Sequence, residues 1–469
     1  MSDAPLLIIP VESQVREMDA KLLLACCAVE RGYRVVIGSR AYVHYAMAEL
    51  PRGIYVAKSM RALSKLMFQL IRQLGHDIIA WEEEALVHPP PEVFYPLRLS
   101  PGTMPYVSHI FAWGEENREL LAGYPYLPTG LPIHLTGNPR GDMLRPELRA
   151  YFDDEVQALR KEYGDFLLVN TNFTDCNPFR PGLGLFAPSK DPSRPPPMGQ
   201  AGRGMPRAFA EGLLEHKQAI LDDFLAMLPA LERALPGMAL VLRPHPSENH
   251  DIYKQLAARC SRIHVSHQGN VLPWLLACRA LVHNGCTTAI ESYAMGVPAV
   301  AYLKTFDARY DLDFQGLPNR LSVPCRSLDE LIETLTGIIG AGTGEAGHAT
   351  AERDDLIGGY ITARDGRLAC ERILDTLDSL YRRGHGLPRV SLPTRLRAAL
   401  HVRARSLLKK RKQRRPGNYH DHRFPRISSD DVARRIERLG RTLGRFGSVD
   451  VRMRSEHLFD VFSKAGTPR

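Results

Sequence analysis

The chain has 469 residues, 44% apolar and 24% charged. This mix excludes a wholly disordered, collagenous or multi-spanning membrane protein, and the length provides for two or three domains. The formal charge of +9 points to an anionic partner. It is unevenly placed: residues 388–469 hold 22 Lys+Arg and 7 Asp+Glu, or +15, while the rest of the chain holds 39 and 45, or −6. On this reading a mildly acidic body carries a basic appendage.

The start, Met1-Ser2-Asp3-Ala4-Pro5, has an acid where a secretory signal has lysines. Leu6–Ile9 is a short apolar run ended by Pro10, which reads as a first buried strand. No stretch approaches the ~18–20 apolar residues that span a bilayer. Strands are further expected at Tyr33–Ile37, Ile54–Val56, Asp77–Ala80, Ile110–Trp113 and Ile133–Thr136, with amphipathic helices such as Val15–Glu30 and Ser59–Gln73 between them. The pattern resets at Phe166–Asn170. It then gives strands at Ala239–Leu242, Arg262–Val265, Ala280–His283 and Ala299–Tyr302, and helices at Ala208–Leu231, Glu248–Ala258 and Thr287–Met295. A Gly/Ala-rich linker at Ala341–Ala349 and a helix near Tyr360–Tyr381 follow.

Repeated βα units of this kind make parallel sheets with helices on both faces. The fold class is α/β, with two Rossmann-like domains facing a cleft and a basic helical C-terminal tail. The expected segments are a domain at 1–162, a second at 163–340, a linker and closing helix at 341–387, and the tail at 388–469. Ligands of open α/β sheets bind outside the carboxyl ends of the strands. The Pro- and Gly-rich segment Asn170–Arg207 leaves such an end and reads as a lid.

Chemistry-bearing residues collect after these strands. Arg243-Pro244-His245-Pro246-Ser247-Glu248 places a guanidinium and an imidazole where a phosphate or carboxylate would bind. In His283-Asn284-Gly285-Cys286-Thr287-Thr288, Gly285 permits a tight turn, and the threonines present hydroxyls at a helix start that serve as a cap, an anion site, or both. Glu291, one turn deeper, is a candidate for a ribose hydroxyl or a plain helix-face acid. Ser266-His267-Gln268-Gly269-Asn270 flanks the same place, with Gln268 and Asn270 near a base. In the first half, Glu82-Glu83-Glu84 follows Asp77–Ala80. Adjacent acids repel, so one pKa should rise, as suits a general acid or base; a nucleophilic carboxylate is the other option. Thr136-Gly137-Asn138-Pro139-Arg140-Gly141-Asp142 offers Arg140 to an acidic substrate group or to Asp142.

Weaker signals give less. Gly182-Leu183-Gly184 is not a dinucleotide fingerprint, and Asp311-Leu312-Asp313 lies outside the strand-end pattern, so no metal is expected. The eight cysteines show no CxxC pair and no zinc spacing; they read as free thiols, and with the absent signal they place the chain in the cytoplasm.

The set Glu82–Val87, Phe111–Glu115, Thr136–Asp142, Val169–Phe173, Arg243–Asn249 and His283–Thr288, in this order, resembles the bacterial surface carbohydrate biosynthesis protein family over roughly residues 1–340. That family is similar to the two-Rossmann-domain (GT-B) glycosyltransferases, with capsule and lipopolysaccharide Kdo transferases and bacterial sialyltransferases among its relatives. The resemblance implies a transferase of surface polysaccharide synthesis with a nucleotide-activated donor, a CMP-linked ulosonic acid, and no metal or other cofactor. It implies that His245 and Thr287/Thr288 hold the donor phosphate; Arg243, Ser247, Gln268, Asn270, Asn284 and Glu291, after the same strands, are the further donor-binding candidates. Glu83, with Glu82 or Glu84, would be catalytic, and Asn138, Arg140, Asn170 and Asn172 would line the cleft on the acceptor side. The family pattern Asp-Glu-Glu-Gly departs here to Glu82 and Ala85.

In residues 395–415, Leu396, Leu400 and Leu407 share one face amid dense basic charge, the composition of an interfacial helix on anionic lipid. Nucleic acid is not the expected partner, because few aromatics interleave with the arginines. Ser429-Asp430-Asp431 then starts a helix with Val432, Ile436, Leu439 and Leu443 at helical spacing. The expected partners are a nucleotide sugar, a glycan or glycolipid acceptor and, through 388–469, the inner-membrane surface, with the protein cytoplasmic and peripheral. A non-catalytic sugar-nucleotide-binding scaffold and a UDP-sugar 2-epimerase-like enzyme are the alternatives.

Overall fold

The computed structural model describes residues 5–189, 191, 193–311, 316–341, 350–382, 386–413 and 423–464. Residues 1–4 of the start, nearly all of the Gly/Ala linker, Leu312 and Asp313 of the acidic pair, and residues 414–415 of the basic run lie outside the described residues. Fourteen strands are described: β1 (Leu6–Val11), β2 (Val35–Ser39), β3 (Gly53–Ala57), β4 (Asp77–Ala80), β5 (His109–Ala112), β6 (Ile133–Leu135), β7 (Phe166–Asn170), β8 (Ala239–Arg243), β9 (Ile263–Val265), β10 (Ala280–His283), β11 (Ala299–Tyr302), β12 (Val323–Cys325), β13 (Val449–Ser455) and β14 (Leu458–Ser463). Contacts group them into two compact units, 1–151 with 358–469, and 152–357. Each holds a Rossmann-like sheet, as the repeated βα pattern requires.

The first sheet runs β13-β14-β2-β1-β3-β4-β5-β6. β1 to β6 are parallel, and the apolar runs of β1 to β5 are buried on both faces, as parallel sheets demand, while the edge strand β6 is partly exposed. Pro10 does not end β1. The β3 ladder stops at Ile8, so the missing N–H falls where that neighbour no longer pairs, and β1 continues on the β2 side through Pro10 and Val11. The C-terminal hairpin β13–β14 was not foreseen. β14 lies antiparallel on β2 in the register Phe459↔Ile37, with Leu458, Phe459 and Val461 fully buried. Gly38 makes the approach possible, since a Cβ there would lie 2.1 Å from the His457 carbonyl oxygen.

The basic tail is therefore largely built into this unit. The helix Ser429–Leu443 packs on Gln14–Glu30, burying Val432, Ile436 and Leu439, with Arg435 paired to Asp19 and Arg438 lying 4.2 Å over the Tyr151 ring. Arg445 bridges Glu30 (2.7 Å) and Glu371 (2.9 Å). Among the described residues the helix Leu392–Gln413 buries a narrow strip, Ala398, Val402 and Ser406, and it packs on the Arg40–Ala46 and Lys65–Gln73 helices. Its Leu396, Leu400 and Leu407 are exposed. Tyr360–Tyr381 is not one helix. Ala351–Tyr360 and Ala369–Leu377 are separated by a turn in which Ala363 and Gly366 take φ near +60°.

The second sheet runs β12-β11-β10-β7-β8-β9, all parallel. The long helix Arg207–Ala234 covers it with Ile220, Phe224, Leu228 and Leu231. The eight cysteines are free; six are buried, and Cys176 and Cys260 are half-buried. Among the described residues no helix is long and apolar enough to cross a membrane.

Candidate functional site

In the second unit β7 sits between β10 and β8, the point where the strand order reverses and loops diverge. Asn170, Arg243 and His283 end these three strands. The turn after β10 is fixed from beneath. Gly285, at φ +60°, donates its N–H to Asn319 Oδ1 (2.9 Å), and Asn284 Nδ2 donates to the Tyr302 carbonyl (2.9 Å). His283 is fully buried against Ser322 Oγ (2.8 Å), and burial pushes it down to about 3, so it is a neutral structural imidazole. Asn170 Nδ2 donates to Thr288 Oγ1 (2.9 Å) and Asn172 Nδ2 to the Gly285 carbonyl (3.4 Å), which ties the β7 and β10 loops together. Thr287 is exposed there, with Thr288 and Glu291 half-buried beside it.

The β8 motif is pinned by Glu248. Its buried carboxylate accepts from the His245 backbone N–H (2.9 Å), Thr171 Oγ1 (2.9 Å) and Tyr253 OH (2.5 Å). Burial raises its pKa, and these donors offset only part of the rise. His245 Nδ1 and Thr174 Oγ1 both lie 2.6 Å from Ser247 Oγ. The expected lid begins by clasping this motif: Phe179 donates to the Ser247 carbonyl (2.7 Å), and Asn177 and Asn249 exchange two bonds of 2.9 Å. Arg243 is held by protein. It donates to the Gln268 (2.7 Å) and Gly269 (2.6 Å) carbonyls and stacks 5.3 Å from the Trp274 ring. Asn270 caps the Val271–Ala277 helix through Leu272 N (3.2 Å). Of the donor candidates, His245, Gln268 and Thr287 are the ones with exposed side chains.

In the first unit the three glutamates separate by environment. Glu83 is 1% exposed, accepts from Trp81 Nε1 (2.8 Å) and lies 3.5 Å from Lys21 Nζ, with Oε1 buried and unpartnered. Glu82 is fully buried against Arg98, and burial lifts it to about 7 despite that cation. Glu84 is 39% exposed. Desolvation works against its charge, but Arg16, Arg140 and Lys58 hold it down at about 2. Arg140 donates to the Glu83 carbonyl (3.3 Å) and lies 5.4 Å from the Trp113 ring, on a turn capped by Asn138 Oδ1. It does not pair with Asp142, whose carboxylate takes the Ala369 (2.7 Å) and Cys370 (2.9 Å) N–H groups.

Behind this trio lies a buried charge network that sequence reasoning missed. Glu17 and Lys21, one turn apart on Gln14–Glu30, are 2.7 Å apart at 0% and 3% exposure, with Lys58 3.5 Å from Glu17. The legible signal was an acid and a lysine at i, i+4 inside an otherwise apolar helix, which reads on the page as a surface pair. Among the described residues, no cluster of three or more His, Cys, Asp and Glu could hold a metal ion.

No protein-family profile and no curated protein matches this sequence. Among solved structures, the chain is similar to the wall teichoic acid polymerase TagF, at 11% identity and TM-score 0.49, over 81% of this chain and 89% of that one. It is similar to a putative UDP-N-acetylglucosamine 2-epimerase from Listeria monocytogenes at 14% identity and TM-score 0.48, over 84% and 100%. It is also similar to the UDP-GlcNAc 2-epimerase of Neisseria meningitidis bound to UDP-GlcNAc, at 13% identity and TM-score 0.46, over 80% and 99%.

Proposed function

We propose that the chain is a metal-independent GT-B glycosyltransferase of bacterial surface polysaccharide synthesis, of the capsule or lipopolysaccharide kind, using a CMP-linked ulosonic acid. The observation that carries this is where the donor candidates fall. His245, Ser247, Gln268, Thr287 and Thr288 all follow the carboxyl ends of β8, β9 or β10, around the point where the strand order reverses. Here the nucleotide phosphate meets His245 and the two threonines. Asn170, Arg243, Asn270 and Asn284 hold the loops in place, and Glu291 and Asn172 flank them.

In the first unit Glu84 is the carboxylate with access to an acceptor, while Glu82 and Glu83 position it from behind. The chain works at the cytoplasmic face of the inner membrane, where the leucine row and cations of Leu392–Gln413, a helix with no acidic residue, favour anionic lipid. Thermal-shift titration with CMP, UDP and GDP is the test. Stabilisation by CMP alone is the expected result. UDP alone would favour a 2-epimerase, and no nucleotide effect would favour a scaffold. Loss of transfer in Glu84→Gln, with the CMP shift retained, is expected.

A further inference from the structure

A cavity of about 430 Å³ opens in the first unit beside Glu84, within the usual size range of small-ligand sites. Its wall carries five cations, Arg40, Lys58, Arg61, Arg98 and Arg423, against two carboxylates, Glu12 and Glu84. Behind the wall Glu82 also faces Arg98 and Glu17 lies 3.5 Å from Lys58, but Lys21 and Arg16 in turn engage Glu17 and Glu84, so among the described residues the cations remain in excess. Glu12 alone faces Lys58 (2.5 Å), Arg423 (2.5 Å) and Arg40 (3.7 Å). Burial works against its charge, yet Arg40, Lys58 and Arg423 hold it below the ordinary carboxylate range. Glu84 is engaged from the side by Arg16. Excess positive charge concentrated in a concave wall recruits an anion.

Part of the lining is apolar and exposed to water. Leu63 is 91% exposed and Leu97 54% exposed, and both line the cavity. Leu66, in the Lys65–Gln73 helix that follows Leu63, and Val93, in the Pro91–Arg98 helix with Leu97, are exposed as well. The helix Leu392–Gln413, with its exposed leucines, packs on Lys65–Gln73, the helix that follows Leu63. A cationic cavity with a leucine rim fits an amphiphile that carries its anion in the headgroup.

We propose that this cavity binds the phosphoryl-bearing headgroup of a lipid, with the attached chain lying over Leu63 and Leu97. Taken with the function proposed above, on which this point rests, the lipid is the acceptor class, and its headgroup is presented next to Glu84. Binding itself does not depend on transfer, so the two readings fail separately.

The test is sedimentation of the full chain with phosphatidylcholine vesicles, with and without phosphatidic acid. It is run for the wild type, for Arg61→Gln, for Arg61→Gln/Arg423→Gln, and for Leu396→Gln/Leu400→Gln. Circular dichroism and the unliganded Tm report folding, and soluble glycerol 3-phosphate and inorganic phosphate serve as competitors. Arg61 is an exposed cation, so its variant spares the core. Phosphatidic acid should promote binding, and each neutralised cavity cation should weaken it about fivefold. Glycerol 3-phosphate should compete in the leucine variant as in the wild type. Binding that is unchanged in both arginine variants and lost only in the leucine variant would overturn the cavity assignment in favour of plain interfacial adsorption. Stabilisation by inorganic phosphate, with phosphatidic acid adding no vesicle binding, would overturn the lipid assignment and leave a free-phosphate site.

Discussion

Lys21→Met tests the buried network behind the glutamates. Lys21 Nζ lies 2.7 Å from Glu17, 3.5 Å from Glu83 and 2.9 Å from the Pro10 carbonyl, at 3% exposure. Methionine fills a similar volume but leaves two carboxylates facing each other without water. Breaking a buried pair by removing one partner costs about 3–5 kcal/mol. Lys58, 3.5 Å from Glu17, remains and offsets part of this, so about 3 kcal/mol is expected, a large share of a typical 5–15 kcal/mol domain stability. Urea unfolding followed by tryptophan fluorescence reads the effect, because Trp81 and Trp113 are buried in this unit. Glu17→Gln/Lys21→Met should recover part of the loss.

The pH dependence has a definite sign. Glu17 is buried, but Lys21 and Lys58 pull its folded pKa below the unfolded value. Its stabilisation is therefore present above the ordinary carboxylate pKa and is lost as pH falls through the folded one. Without Lys21 that loss begins at higher pH. At pH low enough to protonate Glu17 in both proteins, the gap between variant and wild type should narrow. A cost below about 1 kcal/mol at pH 7, or a double variant no more stable than Lys21→Met, would refute the reasoning.

Three further outcomes are expected. Glu82, lifted by burial to about 7, contributes stability in its protonated form that is present below the unfolded carboxylate pKa and lost as pH rises through about 7; Tm against pH from 4.5 to 8 should therefore fall more steeply in the wild type than in Glu82→Gln. Gly38→Val would drive side-chain atoms into the His457 backbone and should detach β14, read as fast amide exchange at Phe459 and Val461; protected amides there would count against the docking. Glu248→Ala strands the His245 N–H, Thr171 and Tyr253 donors at about 1–3 kcal/mol, and should open the 174–200 segment to protease while abolishing the CMP shift; an equally resistant loop would show that Glu248 is not the pin.

The parallel strands were legible because each is a short aliphatic run between turn residues, and Asp77–Ala80, Phe166–Asn170, Ala280–His283 and Ala299–Tyr302 fall where the pattern puts them. β12 and the β13–β14 hairpin were not. Val449–Ser455 reads as polar because it is an edge strand with four exposed residues at its end, and the pairing of its hairpin partner β14 with β2, some 400 positions away, leaves no local trace. In the site, the strand-end placement of His245 and Thr287 could be read, since it depends on local order. The division of labour among Glu82, Glu83 and Glu84 could not. It depends on Arg98, Lys21 and Arg16, which reach the three residues from separate elements. Arg243 looked like a ligand group for the same reason: its carbonyl partners lie one strand over.

The pairing of β14 with β2 also has a bearing on how the polypeptide is made. During synthesis from the N-terminus, residues 152–357 are contiguous and can close their own sheet once β12 has left the ribosome. The first unit cannot: the edge of β2 stays bare until residue 458 emerges. For the time needed to translate more than four hundred residues, at roughly 5–20 residues per second, an apolar edge waits for β14, a standing hazard for intermolecular pairing. Early termination anywhere before the hairpin would leave that edge open for good, so the β13–β14 segment acts as a completion signal for the first sheet.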